Sequence, residues 1–236
     1  MNTYRIPRFW WLWLPLIFMA LQLCMEAFLP GHVMFWMMAE DGPHEDLQAM
    51  TILIGFCVGL AILRRFSFRD NPWLGAWVVL ATICCFYVAG EEISWGQWIF
   101  RWHTPEYWAH INDQNETNLH NTSSWLDQKP RAILELGTIV GGLIIPALNK
   151  WRRQWLPARF AIIYPPAILA VTAGVYAFFK LSNVIGHHVF HINLYQRVAE
   201  VTELCMYYFV TLYMIVLKGR IFEQQTAPAV VDKFLG

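Results

Sequence analysis

Apolar residues in this chain gather into long unbroken runs rather than alternating with polar ones. Six runs approach or exceed the roughly 20 residues a helix needs to cross a hydrocarbon core of about 30 Å. They extend from about Phe9 to Leu29, Leu47 to Leu63, Trp73 to Gly90, Ala132 to Leu148, Phe160 to Phe179 and Leu194 to Leu217. Charge or a Pro/Gly turn bounds the first three, Pro165 and Pro166 predict a kink in the fifth, and charge marks the start of the sixth. Backbone amides inside lipid need internal partners, and the ten-residue alternation of a membrane barrel is missing, so the spans are expected to be helices. The predicted fold is an all-α polytopic membrane helix bundle. It is one integral domain over residues 1–236, with a long outer loop at 101–130 between the third and fourth spans.

Composition agrees with this pattern. Hydrophobic residues make up 57% of the 236 positions and charged ones 14%, which excludes a disordered chain and an ordinary soluble domain. Seventeen Lys and Arg balance seventeen Asp and Glu, so no basic surface for a nucleic-acid partner is expected. The distribution of charge says more than its sum. Arg5 and Arg8, then Arg64, Arg65 and Arg69, then Lys150, Arg152, Arg153 and Arg159, then Lys218, Arg220 and Lys233 all fall on one side of the six spans. The other side keeps only Arg101, Lys129, Arg131, Lys180 and Arg197. Basic residues are retained inside, which predicts a bacterial inner-membrane protein with both termini cytoplasmic. The first run has basic residues ahead of it and no small-x-small site behind it, so it reads as an uncleaved signal anchor.

All eight histidines then fall outside, at His32, His44, His103, His110, His120, His187, His188 and His191. Most acids follow them, with Asp70, Glu223 and Asp232 the exceptions on the cytoplasmic side. Acidic loops tolerate export, which explains the acids without any site, but it does not explain the histidines. The five cysteines lie in apolar runs without CxxC spacing and are expected to be small hydrophobes.

Candidate chemistry concentrates in four outer segments. Gly90 to Gln97 reads GEEISWGQ. On a continuous helix Glu91, Ser94 and Trp95 share a face and Glu92 points elsewhere. A carboxylate at the membrane boundary suits a metal ligand or general base, whereas a solvated helix end is the plainer reading. Asn112 to Asn121 reads NDQNETNLHN within an aromatic loop expected to lie among lipid head groups. His120, four residues after Glu116, is a ligand or a loop hydrogen-bonding group. Gly186 to Asn193 reads GHHVFHIN and places His187 and His191 at metal-ligand spacing on a helix. Glu200 and Glu203 follow, with Arg197 placed to neutralise Glu200, and only a chain break near Asn193 brings these acids toward His191. In Glu40 to Glu45, EDGPHE, Asp41 reads as a helix cap and Glu45 is expected to reach the bundle interior.

GEEISWGQ, followed by Thr104 to Glu106 (TPE) and Asn118 to Asn121 (NLHN), resembles a family of bacterial polytopic inner-membrane proteins that has no settled activity. The resemblance covers about Glu40 to Asn121 and implies membrane embedding and bacterial origin. Ser94 with the His187/His191 pair is also loosely similar to the alkaline ceramidase and adiponectin receptor superfamily, seven-span hydrolases that use a serine, an aspartate and three histidines. This chain has six predicted spans and lacks that superfamily's serine-to-histidine spacing. The leading expectation is a metal-dependent, hydrolase-like membrane enzyme acting on a lipid or lipid-linked substrate. A divalent ion such as zinc would be held by His120, His187 and His191 or by a subset of them with Glu91. Glu91, Glu92, Ser94 and Glu45 are the expected catalytic groups, supported by Gln97, Glu116, Asn118, Glu200 and Glu203. The alternatives are a haem or di-iron redox protein and a non-enzymatic transporter or assembly subunit.

Overall fold

A computed structural model describes residues 6–39, 42–112 and 114–226. Arg5, Glu40, Asp41, Asp113, Asp232 and Lys233 lie outside the described residues. Helix dominates the described chain, no strand occurs in it, and six helices are long and apolar enough to cross a membrane. We label them α1 (Phe9–Phe28), α2 (Pro43–Leu63), α3 (Pro72–Glu92), α4 (Gln128–Trp151), α5 (Ala167–Phe190) and α6 (Val198–Gln225). The chain is thus a multi-pass membrane helix bundle. Pro43 and Pro72 open α2 and α3, where a missing N–H costs nothing, and the Asn71 side chain caps α3 by accepting from Leu74 N at 3.3 Å.

α6 is the axis of the bundle. It packs against α2 and α5, and α2 packs in turn against α3. Seventy-two per cent of its span is buried, against 11% for α1, which lies at the edge beside α5. The difference explains why the sixth run tolerates polar residues. α6 faces neighbouring helices and finds partners there, whereas α1 offers side chains such as Phe28, Leu21 and Trp13 outward, as a lipid-facing helix must. Small residues let the central helices approach. A Cβ on Gly59 would fall 2.3 Å from Thr82 Oγ1 of α3, so only glycine permits that crossing. Thr211 Oγ1 of α6 donates to Thr51 O of α2 at 2.7 Å.

Several boundaries differ from the sequence-based expectation. The fifth helix begins at Ala167 rather than near Phe160, because each residue ahead of a proline is pushed away from helical geometry and Pro165–Pro166 does this twice. It then continues to Phe190, past the expected end at Phe179. Helix also starts earlier ahead of α4. Ser123 Oγ accepts from Leu126 N at 3.3 Å and caps a helix from Ser124 that carries Pro130 inside it, so the expected loop ends before Pro130. The outer loop holds short helices at Gln97–Phe100 and Glu106–Ile111 and a 3-10 turn at His120–Thr122.

The segments after α1, α3 and α5 share one end of the bundle, here the loop end. The opposite, basic end is clamped by Arg220, whose guanidinium donates to the carbonyls of Ile162, at 3.0 Å, and Tyr164. Tyr213 reinforces that clamp by accepting from Trp77 Nε1 at 2.8 Å and donating to Ile163 O at 3.1 Å.

Candidate active site

The GEEISWGQ and NDQNETNLHN segments are two halves of one hydrogen-bonded knot. α3 stops at Glu92, and Ser94, Trp95 and Gly96 adopt φ of 45°, 55° and 99°, reversing the chain. Left-handed backbone at two consecutive non-glycine residues costs about 1–3 kcal/mol each and persists only where surrounding contacts enforce it. Those contacts are present. The Trp95 ring folds over Gly90, where a Cβ would sit 2.8 Å from the indole, and its Nε1 donates to Glu91 Oε1 at 2.6 Å. Ser94 Oγ donates to Glu116 Oε2 at 2.8 Å and accepts from Asn118 Nδ2 at 3.2 Å. Asn118 Nδ2 also reaches Glu116, while Asn112 Nδ2 donates to Asn118 Oδ1 at 2.7 Å. Gln97 Oε1 accepts from Thr117 N, and Gln97 Nε2 donates to Thr104 Oγ1, both at 2.8 Å.

This geometry corrects several sequence-based roles. Ser94, Gln97, Glu116 and Asn118 are all at most 7% exposed and spend their polar atoms on one another. Buried polar groups in such a saturated network hold a loop in place and have little capacity left for a substrate. Ser94 is therefore a structural residue, and the expected likeness of its hydroxyl to a hydrolytic serine is not realised. Glu91 and Trp95 do interact, but through the reversed turn and not along a continuous helix.

Glu91 joins the knot to a cavity. Its Oε2 accepts from the backbone N–H groups of Leu119 and His120, both at 2.7 Å, and lies 3.2 Å from His120 Nδ1. With Trp95 on its other oxygen, this 3%-exposed carboxylate is fully engaged and acts as the positioning residue for His120. Burial works to lower the His120 pKa, but the hydrogen bond and charge of Glu91, with Glu203 and Glu116 behind it, raise it above the ordinary imidazole value. Because Nδ1 is engaged by Glu91, Nε2 is the ring atom left to act.

The cavity has a volume of about 250 Å³ and lies among the loop-end parts of α2, α3, α4 and α6. His120 lines it together with Glu45, Glu91, Glu92, Glu200 and Glu203, opposed by Arg131 and Arg197. Arg131 pairs with Glu203 at 2.7 Å, and Arg197 with Glu200 at 3.2 Å as the i, i+3 spacing suggested. Tyr207 donates its hydroxyl to Glu92 Oε1 at 2.8 Å. The expectation for Glu45 is met, since it reaches the same cavity wall. Arg131 and Tyr207 had no place in the sequence-based site. A signal was nevertheless there: Glu200, Glu203 and Tyr207 stand at i, i+3 and i+7, on one face at the loop end of α6.

His187 and His191 do not join them. α5 ends in a π turn at Gly186–Phe190, and His191 follows with φ 54°, so the helix stops before the two imidazoles can share a face. Both are exposed, neither lines the cavity, and the His187 ring packs edge-on against His188 with centroids 4.9 Å apart. The helix does break around Asn193, and the break delivers Glu200 and Glu203 to the cavity while leaving the histidine pair outside it. The zinc set of His120, His187 and His191 is accordingly not assembled. Among the described residues, no group of three or more His, Cys, Asp or Glu side chains is arranged to hold a metal ion.

No protein-family model, curated protein or solved structure matches this chain, so its site is argued from its own geometry.

Proposed function

We propose that this chain is a membrane-embedded acid–base enzyme, hydrolase-like, that acts on a lipid or lipid-linked substrate. In this reading it sits in a bacterial inner membrane with both termini cytoplasmic and the glutamate cavity on the periplasmic side, following the bias of Lys and Arg among the loops. One observation carries the proposal: a glutamate-oriented imidazole, His120, and a tyrosine-bonded carboxylate, Glu92, face the same cavity. An acid and a base on one wall are the minimum needed to move a proton to a leaving group while another is drawn from a nucleophile. Glu92 takes the proton of an attacking water or hydroxyl. His120, its Nδ1 engaged by Glu91, returns one from Nε2, and Arg131 stabilises the negative charge that develops between them.

The test uses the purified chain in liposomes of a bacterial lipid extract, with products followed by mass spectrometry. Glu92→Gln and His120→Gln should each lower turnover by at least roughly 100-fold without changing thermal unfolding. Absence of any turnover by the wild type, or full turnover by either variant, overturns the proposal.

A further inference from the structure

Glu45 and Glu92 each line two cavities. One is the acid–base cavity, and the other is a larger groove of about 600 Å³ between the loop ends of α2 and α3. The groove has three chemically distinct parts. Its acidic part is Glu45, Asp46 and Glu92. Among the described residues that line it, its single cation is Arg101. Its rim is Trp98, Ile99 and Trp102, 37%, 63% and 40% exposed, with Phe100, 75% exposed, stacked on Trp102 at a centroid separation of 6.0 Å.

The rim is placed by the knot. Gln97 opens the short helix Gln97–Phe100 while its side chain is bound to Thr104 and Thr117. Arg101 closes that helix with φ 54° and its N–H on Gln97 O at 2.7 Å. Exposed tryptophan and aliphatic side chains just beyond the end of a membrane span belong at the head-group level of a bilayer. At that level the species within reach is a lipid head group. An anionic head group meets three carboxylates here. A zwitterionic one finds a partner for each of its charges, because carboxylates and indole faces bind ammonium and a guanidinium binds phosphate.

We propose that this groove binds the head group of an aminophospholipid, with its primary ammonium against Glu45, Asp46 and Glu92 under Trp98 and Trp102 and its phosphodiester against Arg101. The proposal names the substrate class of the acid–base site and rests on that reading only in having Glu92 shared between the two cavities. The ammonium end of the head group is thereby held at the wall that Glu45 and Glu92 share with the acid–base cavity.

Native mass spectrometry of the detergent-purified full chain, titrated with phosphatidylethanolamine, phosphatidylcholine and phosphatidylglycerol, tests it. Phosphatidylethanolamine should bind tightest and phosphatidylglycerol weakest, by roughly 5- to 30-fold. Asp46→Asn should narrow that preference, and Arg101→Gln should weaken both zwitterionic lipids alike. Neither residue lines the acid–base cavity, so both variants should leave its wall in place. Soluble glycerophosphoethanolamine should fail to compete, because the rim recognises a molecule anchored in the bilayer. Phosphatidylglycerol binding as tightly as phosphatidylethanolamine, wild-type preference in Asp46→Asn together with wild-type affinity in Arg101→Gln, or equal binding of the soluble head group overturns the proposal. His120→Gln separates the two ideas, since it should abolish turnover and leave lipid binding intact. Selective binding by a chain that turns nothing over upholds the groove and refutes the enzyme.

Discussion

The knot and the cavity lie at the same end of the bundle, use the same residue types and are joined by one carboxylate, yet they differ in how completely their polar atoms are used. In the knot, Ser94, Asn112, Glu116 and Asn118 are 0–4% exposed and bonded to one another. In the cavity, Glu92, His120 and Arg131 have partners on one side and open volume on the other. A saturated network can only hold, whereas a network facing space can also exchange a proton or accept a ligand. The two sequence motifs therefore supply both regions: Ser94, Gln97, Glu116 and Asn118 hold the loop, while Glu92 and His120 from the same segments face the open volume.

Substitutions should separate the two regions sharply. The largest effect is expected from Glu116→Ala, which strips the acceptor from Ser94, Asn118 and Asn121 and leaves buried donors unpaired. It should lower stability by roughly 2–4 kcal/mol in thermal or denaturant unfolding in detergent, since each buried donor left unpaired costs about 1–3 kcal/mol. Glu92→Gln should do the reverse, with a loss of at least roughly 100-fold in turnover and little change in unfolding. A Glu92→Gln variant that unfolds like Glu116→Ala would make the cavity part of the scaffold and erase the distinction. Gly90→Ala places a methyl group 2.8 Å from the Trp95 ring and should cost about 1–3 kcal/mol, as overpacking does.

A smaller, pH-dependent effect sharpens the link through Glu91. The His120 pKa is raised in the folded chain, so its pairing with Glu91 stabilises fully below the ordinary value of 6.5 and fades as pH rises through the higher folded value. Unfolding of the wild type should accordingly show a decline in stability above pH 6.5 that is absent in His120→Gln. A wild-type profile that is flat there would remove the charged pair from the account. The smallest effect belongs to His187→Ala/His191→Ala, which should leave metal content, turnover and unfolding unchanged because both rings are exposed and outside the cavity. Loss of turnover in that double variant would restore the histidine pair to the site.

How far the site was legible can be followed residue by residue. Glu45, Glu92, Glu200 and Glu203 are candidates from their positions at span ends and His120 from the polar run of the outer loop, four residues after Glu116, and the cavity collects all five. Ser94 was misassigned because a helix was extended through it, while Trp95 packing on Gly90 forces the chain to turn first. The His187/His191 pair failed for the same reason, since an i, i+4 rule holds only while the helix continues. Arg131 was hidden because its importance comes from Glu203, 72 positions away, and no local pattern reports such a pair.

The sequence by itself determined that this is a six-span helical membrane protein and that its histidines and most of its acids gather at one end. Partition into lipid is decided over a window of some twenty neighbouring residues, so it can be read along the chain. Only the tertiary structure decided which carboxylates are spent on holding the loop and which face open volume. That choice depends on hydrogen-bond partners distant in sequence and on where three left-handed residues end α3. Saturation of a polar group is a property of its surroundings, and those exist only once the helices have packed.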